Sequence, residues 1–272
     1  MSLNEVNFLM KNISIKIIVY IFLLINYQAF GSDKIVSVVT LVDYAPYVFV
    51  EGNKSVTGVV NPQDRTALVD GYSWEVFKES FHVMGYSIKY TVVPWARALK
   101  YLKSGQADLL FPISKSKERL RIFNYSKEPI NKVNVIIYFP ITSSFEWKGY
   151  NSIKEKIIGA KRAFNYGHKW DVLNCFTKYD IGKISTGFKM LEKGHLDGFI
   201  GYQSAWDYFL KQKGWENKFQ KTPVIDSTIE YVVTLNGAIN NDSLLDVFDQ
   251  GKRKLIASGR LIELQRKWFD MK

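Results

Sequence analysis

LKSGQADLLF occupies residues 102–111, and LEKGHLDGFI occupies residues 191–200. Both read Leu-x-x-Gly-x-x-Asp and then run into apolar residues. Leu102, Gly105 and Asp108 return 89 positions later as Leu191, Gly194 and Asp197. Ahead of each glycine lies a helical pattern, 96–103 with Leu99 and Leu102 on one face, 187–193 with Phe188 and Leu191 at the same spacing. A glycine just past the last helical residue takes the left-handed conformation that ends a helix. The apolar residues after each Asp read as a short buried strand. Each copy is thus helix, glycine stop, strand, and that alternation builds a parallel sheet covered by helices. Two copies about a domain-width apart predict two similar α/β lobes. The repeat also assigns Asp108 and Asp197 to structural turns rather than to chemistry.

The rest of the chain extends the pattern. Strands are expected at 34–42, 87–93, 134–139, 156–160, 183–184, 196–200 and 229–235. Helices are expected at 72–84, 169–177, 202–213, 242–257 and 260–269, with a break at Gly259. If 133–138 crosses from the first lobe to the second and 229–235 crosses back, lobe one is discontinuous (32–132 plus 236–272) and lobe two spans 133–235. Two crossings make a hinge, and the groove between the lobes becomes the ligand site.

Residues 1–31 read differently. Lys11 and Lys16 precede an apolar run at 17–25, and Ala29 and Gly31 are the small residues of a cleavage site, the layout of a secretory signal peptide. Translation can begin at Met1 or at Met10. The run is short of the ~20 apolar residues that span a bilayer. Cys175 is the one cysteine, so no internal disulfide forms, and an exported chain of this kind points to the periplasm. It lies in an apolar stretch and reads as a buried structural thiol. The net charge of +11 is spread along the chain. Spread in this way it gives solubility and a mild pull on anions, not a nucleic-acid footprint.

Several stretches in order resemble the periplasmic solute-binding proteins of the polar amino acid type, the family 3 extracellular components of ABC transporters. They are YAPY (44–47), WARALKYLKSGQAD (95–108), SKSKERLRIFNYSKEP (114–129), FNYGHKWD (164–171), MLEKGHLD (190–197) and GRLIELQRKWF (259–269). The resemblance covers residues 33–272. It implies an α/β, two-lobed, type II periplasmic-binding-protein fold with a two-strand hinge, a monomer that captures a small, polar, carboxylate-bearing solute, and ABC-transporter membrane subunits as partners. No cofactor, metal or nucleic acid is implied.

The resemblance also assigns roles. Arg119 holds a ligand carboxylate, which suits a guanidinium fork, and Ser114 donates to the same group. Read from residues alone, Arg119 is a surface helix residue near Glu118 before it is a ligand contact, and Ser116 a helix N-cap. Tyr44, Tyr47 and Trp95 form aromatic walls, with core packing as their alternative. Asn165 and Tyr166 fall at a helix N-terminus suited to an anion. Amino-acid binders of the family carry an ammonium-binding acid where this chain has Tyr202. A ring face can hold a cation, or Asp171, Asp226 or Glu230 supplies the charge from elsewhere. Otherwise the ligand is an amine-free anion or a larger solute that stacks on aromatic rings.

Two other functions compete. An enzyme on this scaffold, like the cyclohexadienyl dehydratases, needs a general acid in the groove, and Glu230 and Asp171 are the candidates. The three histidines show no metal-ligand spacing, and no nucleophile or phosphate-loop motif is present, so a non-enzyme is expected. A sensory module reporting to a membrane partner is the third reading.

Overall fold

The computed structural model describes residues 34–64, 67–238 and 241–269. The signal-peptide expectation falls on residues outside these. Eleven strands form one mixed sheet, joined centrally by two long strands, and a two-stranded ribbon stands apart. In chain order the strands begin with β1 (Lys34–Leu41), β2 (Asp43–Tyr44), β3 (Val48–Phe49), β4 (Val56–Val60) and β5 (Tyr86–Val93). Next come β6 (Leu109–Ser114), β7 (Phe123–Tyr125), β8 (Asn131–Pro140), β9 (Ile157–Lys161) and β10 (Thr177–Ile181). The last are β11 (Gly198–Tyr202), β12 (Phe219–Lys221) and β13 (Asp226–Leu235). The helices are α1 (Tyr72–His82), α2 (Trp95–Lys103), α3 (Lys117–Leu120), α4 (His168–Val172), α5 (Ile184–Glu192), α6 (Gln203–Lys213), α7 (Asn241–Ala257) and α8 (Arg260–Phe269).

The order across the sheet is β10-β9-β11-β8-β13-β6-β1-β5-β4. Strands β8 and β13 lie antiparallel at its centre, with Glu230 opposite Asn131 and Asp226 opposite Val135. On one side β8 pairs with β11; on the other β13 pairs with β6. The chain therefore leaves its first half through β8 and returns through β13, which makes the molecule two-lobed.

The two repeats fold alike. Helix α2 ends at Gly105 (φ 70°) and α5 at Gly194 (φ 72°), a conformation a glycine adopts without Cβ strain. Asp108 then locks onto β1: its amide donates to Ser37 O at 3.0 Å, and its carboxylate accepts from Ser37 N at 2.9 Å. Asp197 does the same to β9, through Ile157 O at 2.8 Å and Ile157 N at 2.7 Å. Both carboxylates thus satisfy a backbone amide at the start of a parallel pairing.

Core aromatics fix the helices to the sheet. Phe77 of α1 stacks on Phe111 of β6 at 4.3 Å between ring centres, and Phe188 of α5 meets Phe199 of β11 edge-on at 5.2 Å. Helix α7 crosses α1 at Gly251, where an added Cβ would sit 1.9 Å from the Ser80 carbonyl oxygen. Gly251→Ala must push the two helices apart, at about 2 kcal/mol; a lower urea midpoint with an unchanged slope would register it.

Around residues 168–184 the structure departs from the pattern. The helix expected to reach residue 177 stops at Val172, and Leu173 is already extended (ψ 131°). The strand expected at 183–184 instead lies at Thr177–Ile181, paired in parallel with β9. Four of its five side chains are exposed. Tyr179 and Ile181 alternate with Lys178 and Asp180, but over five residues with only Ile181 buried the pattern of this edge strand is too short to stand out. Cys175 is therefore not helical; it is half-buried in the connecting loop.

Candidate functional site

Twelve residues from both lobes line a half-open cavity of about 10 Å³, room for about one water molecule. Its charged members are Arg119 and Glu230. Its aromatic walls are Tyr44, Trp95, Phe164 and Tyr202.

Arg119 is positioned by the short helix α3. Ser116 caps that helix by accepting from Arg119 N at 3.2 Å, an ordinary N-cap. The guanidinium then folds back onto the end of β6. Its Nη1 donates to Ser114 O and to Ser114 Oγ, each at 3.0 Å. Its Nη2 donates to Ala163 O of the opposite lobe at 2.8 Å. Trp95, at the start of α2, lies 5.8 Å beneath the guanidinium and donates Nε1–H to the same Ala163 oxygen at 3.0 Å.

Glu230 comes from β13, opposite Ser114 of β6 on one side and Asn131 of β8 on the other. It is 4% exposed, and Tyr44 Oη donates to its Oε2 at 3.1 Å. Burial pushes its carboxyl up to about 7, against the pull of Asn131, Tyr44 and Arg119. Burial, and next the neighbouring Glu230, push the Tyr44 and Tyr202 phenols upward, so both remain neutral donors at pH 7. Tyr202 Oη donates to Asn165 O at 2.7 Å. Phe164 is the aromatic hub, edge-on to Tyr44 at 5.8 Å and to Trp95 at 6.4 Å, and 5.3 Å from Tyr202.

Further polar bonds bridge the lobes beside the cavity. Asn165 Nδ2 donates to Lys115 O at 2.7 Å. Lys161, only 4% exposed at its side chain, pairs with Asp43 at 2.7 Å. A buried pair of this kind offsets the cost of desolvation only in close geometry.

Of the residues singled out in the sequence, Tyr44, Trp95, Ser114, Arg119, Asn165 and Tyr202 line this one cavity. Tyr47 and Tyr166 do not. Tyr47 packs behind Tyr44 at 5.0 Å and faces a separate groove beneath α8. Tyr166 is buried, its hydroxyl accepting from Lys161 N at 2.9 Å. Among the three acids considered, only Glu230 reaches the cavity; Asp226 packs against Gly167, and Asp171 sits on α4. Leu41, Pro112, Ile113, Ala163 and Phe164 completed the lining without a sequence reading of their own, although Phe164 opens the FNYGHKWD stretch. Among the described residues, no three His, Cys, Asp or Glu side chains gather to hold a metal ion, and no helix is long and apolar enough to cross a membrane.

A two-lobed fold with a forked cation, a buried acid and aromatic walls in its cleft defines a solute-binding protein. The chain belongs to the bacterial extracellular solute-binding proteins, family 3, whose model matches residues 36–271. Solved structures agree on the fold. A mutant of ArgBP from T. maritima superposes with a TM-score of 0.70 at 17% identity, over 87% of this chain and 95% of that one. AbpA from Streptococcus pneumoniae, an amino acid ABC transporter substrate-binding protein bound to L-arginine, gives 0.68 at 19% identity over 87% and 94%. A histidine kinase sensor domain similar to periplasmic binding proteins gives 0.70 at 20% over 87% and 96%. Comparison with curated protein sequences finds no match.

Proposed function

We propose that the protein captures a small amino acid, or a close zwitterionic relative, between its lobes in the periplasm and delivers it to an ABC importer. Arg119 and Ser114 take the carboxylate, Glu230 takes the ammonium, and Tyr44, Trp95, Phe164 and Tyr202 enclose the stem. The observation that carries this reading is the convergence of a guanidinium, Arg119, and a carboxyl, Glu230, on one cavity lined otherwise by rings, apolar side chains and the polar Ser114 and Asn165. A zwitterion meets both groups at once, and Glu230, the buried one of the two, is costly to ionise without a cationic partner. Glu230 thus supplies the acid that the Tyr202 position lacks. The likeness to ArgBP and to AbpA, which is bound to L-arginine, favours the same ligand class. Closure occurs about β8 and β13, with lobes of 32–132 plus 236–272 and 133–235.

Isothermal titration of refolded, solute-stripped protein against the L-amino acids, their amine-free acids and their carboxamides tests this. Saturable binding of at least one amino acid is expected, lost when either end is neutralised. Binding of a neutral sugar, or of nothing in the panel, would overturn it.

A second reading rests on Glu230 alone. A buried carboxyl that titrates near 7 has the poise of a general acid, which suits dehydration of a cyclic amino-acid precursor. Turnover of a prephenate-like compound, lost in Glu230→Gln, would establish it; no turnover leaves the binding reading.

A further inference from the structure

The acceptor that engages Arg119 and Trp95 at the cavity belongs to the protein itself. Ala163 O receives Arg119 Nη2–H at 2.8 Å and Trp95 Nε1–H at 3.0 Å. It reaches them because residue 163 is left-handed, with φ 62°. For a residue with a Cβ that conformation costs roughly 1–2 kcal/mol. Asn165 and Lys161, on either side of this turn, tie to Lys115 O and Asp43 of the opposite lobe. The strained turn is thus held by contacts at three points.

With these contacts in place the cavity measures about 10 Å³. One water fits, but no solute with a carboxylate and a stem does. The contacts that close the cavity and the contacts a solute makes are therefore alternatives.

We propose that the Ala163 carbonyl is an internal competitor for the anion site and thereby determines its selectivity. This rests on the reading above that Arg119 receives the solute's carboxylate. A solute must detach the carbonyl from Arg119 and Trp95 before it binds. A neutral acceptor such as an amide or a hydroxyl exchanges one bond from the guanidinium to an uncharged oxygen for another of the same kind and gains little. A carboxylate replaces it with an ion pair, adding the attraction of opposite charges to the hydrogen bonds of the fork. The turn thus sets a threshold that charged ligands pass and neutral isosteres fail.

The test uses two variants of opposite sign. Ala163→Gly removes the Cβ strain and strengthens the turn; Ala163→Val, β-branched, weakens it. In solute-stripped protein the readout is exchange of the Trp95 indole N–H, followed by NMR. Exchange is expected to slow about fivefold in Ala163→Gly and to quicken in Ala163→Val, the scale set by the left-handed cost. Indole exchange unchanged in both variants overturns the proposal, whatever the protein binds.

Affinity for the panel amino acids is read alongside. Ala163→Gly should weaken it about fivefold and Ala163→Val should strengthen it. Affinity moving the other way means the turn assists binding, and the competitor account fails. If exchange responds as expected but no amino acid binds, the turn still competes for the Arg119 and Trp95 donors, and the assignment of the solute is what fails. Should Ala163→Val not fold, Ala163→Gly decides alone.

Discussion

Arg119→Met should abolish solute binding while leaving the fold intact. The methionine keeps the apolar stem over Trp95 but removes every donor of the fork. Losing charge-assisted bonds to a buried carboxylate costs about 3 kcal/mol or more, a Kd at least about 100-fold higher. Arg119 is only half-buried and sits on a four-residue helix. Its loss should therefore move the melting temperature of solute-stripped protein little. Arg119→Lys should recover part of the affinity but not all of it, because an ammonium cannot present two parallel donors. Calorimetry on the three proteins, with melting curves as the control, gives the result. Equal affinity in wild type and Arg119→Met would remove the anion site from the account.

Glu230→Gln is the second large effect, and its sign depends on pH. The carboxyl titrates at about 7 in the folded protein and near 4.5 when unfolded. Between those values the folded state holds a proton that the unfolded state has released. Stability from this group is therefore lost as pH rises from 4.5 through 7 and is flat above. At about 1.4 kcal/mol per pH unit the gap amounts to roughly 3 kcal/mol. Glutamine keeps an acceptor for Tyr44 Oη and cannot ionise. Glu230→Gln should match wild type at pH 4 and exceed its stability by about that amount at pH 8. Chemical denaturation at the two pH values reads it directly; a constant difference across the range would show that Glu230 does not titrate there. Solute binding should respond in the opposite sense. An ammonium needs the ionised carboxylate, so wild-type affinity should rise with pH toward 7 and level off, whereas the variant binds weakly at every pH.

The repeat made the architecture legible because it marks backbone events. A glycine must turn left-handed to end each helix, and an Asp must meet a strand amide; both demands stand in the residues at 105, 108, 194 and 197. The two central strands were equally readable, since 133–138 and 229–235 are apolar enough to lie mid-sheet. β10 was not, because TKYDI is exposed on four of its five residues and its alternation spans too few of them to separate a strand from a loop. In the cleft, Arg119, Ser114 and the rings at 44 and 95 followed from family-like stretches, and Tyr202 from its place where amino-acid binders of the family carry an acid. Glu230 was one of three interchangeable acids until the strand register put it between Ser114 and Asn131. Ala163 left no trace at all, since its part is played by a backbone carbonyl that any residue would offer. Tyr47 and Tyr166 show the converse: aromatic residues beside a site are as readily its packing as its wall.

The account turns on Arg119 and Glu230 holding the two ends of one solute, and a crystal structure of the protein with its solute bound tests that most directly. It should show the carboxylate about 3 Å from the Arg119 guanidinium and a cationic nitrogen at the same distance from Glu230, with Ala163 O displaced from the fork. Density for the solute in the groove beneath α8, between Tyr47, Tyr72 and Phe269, with Arg119 still bonded to Ala163 O, would contradict it.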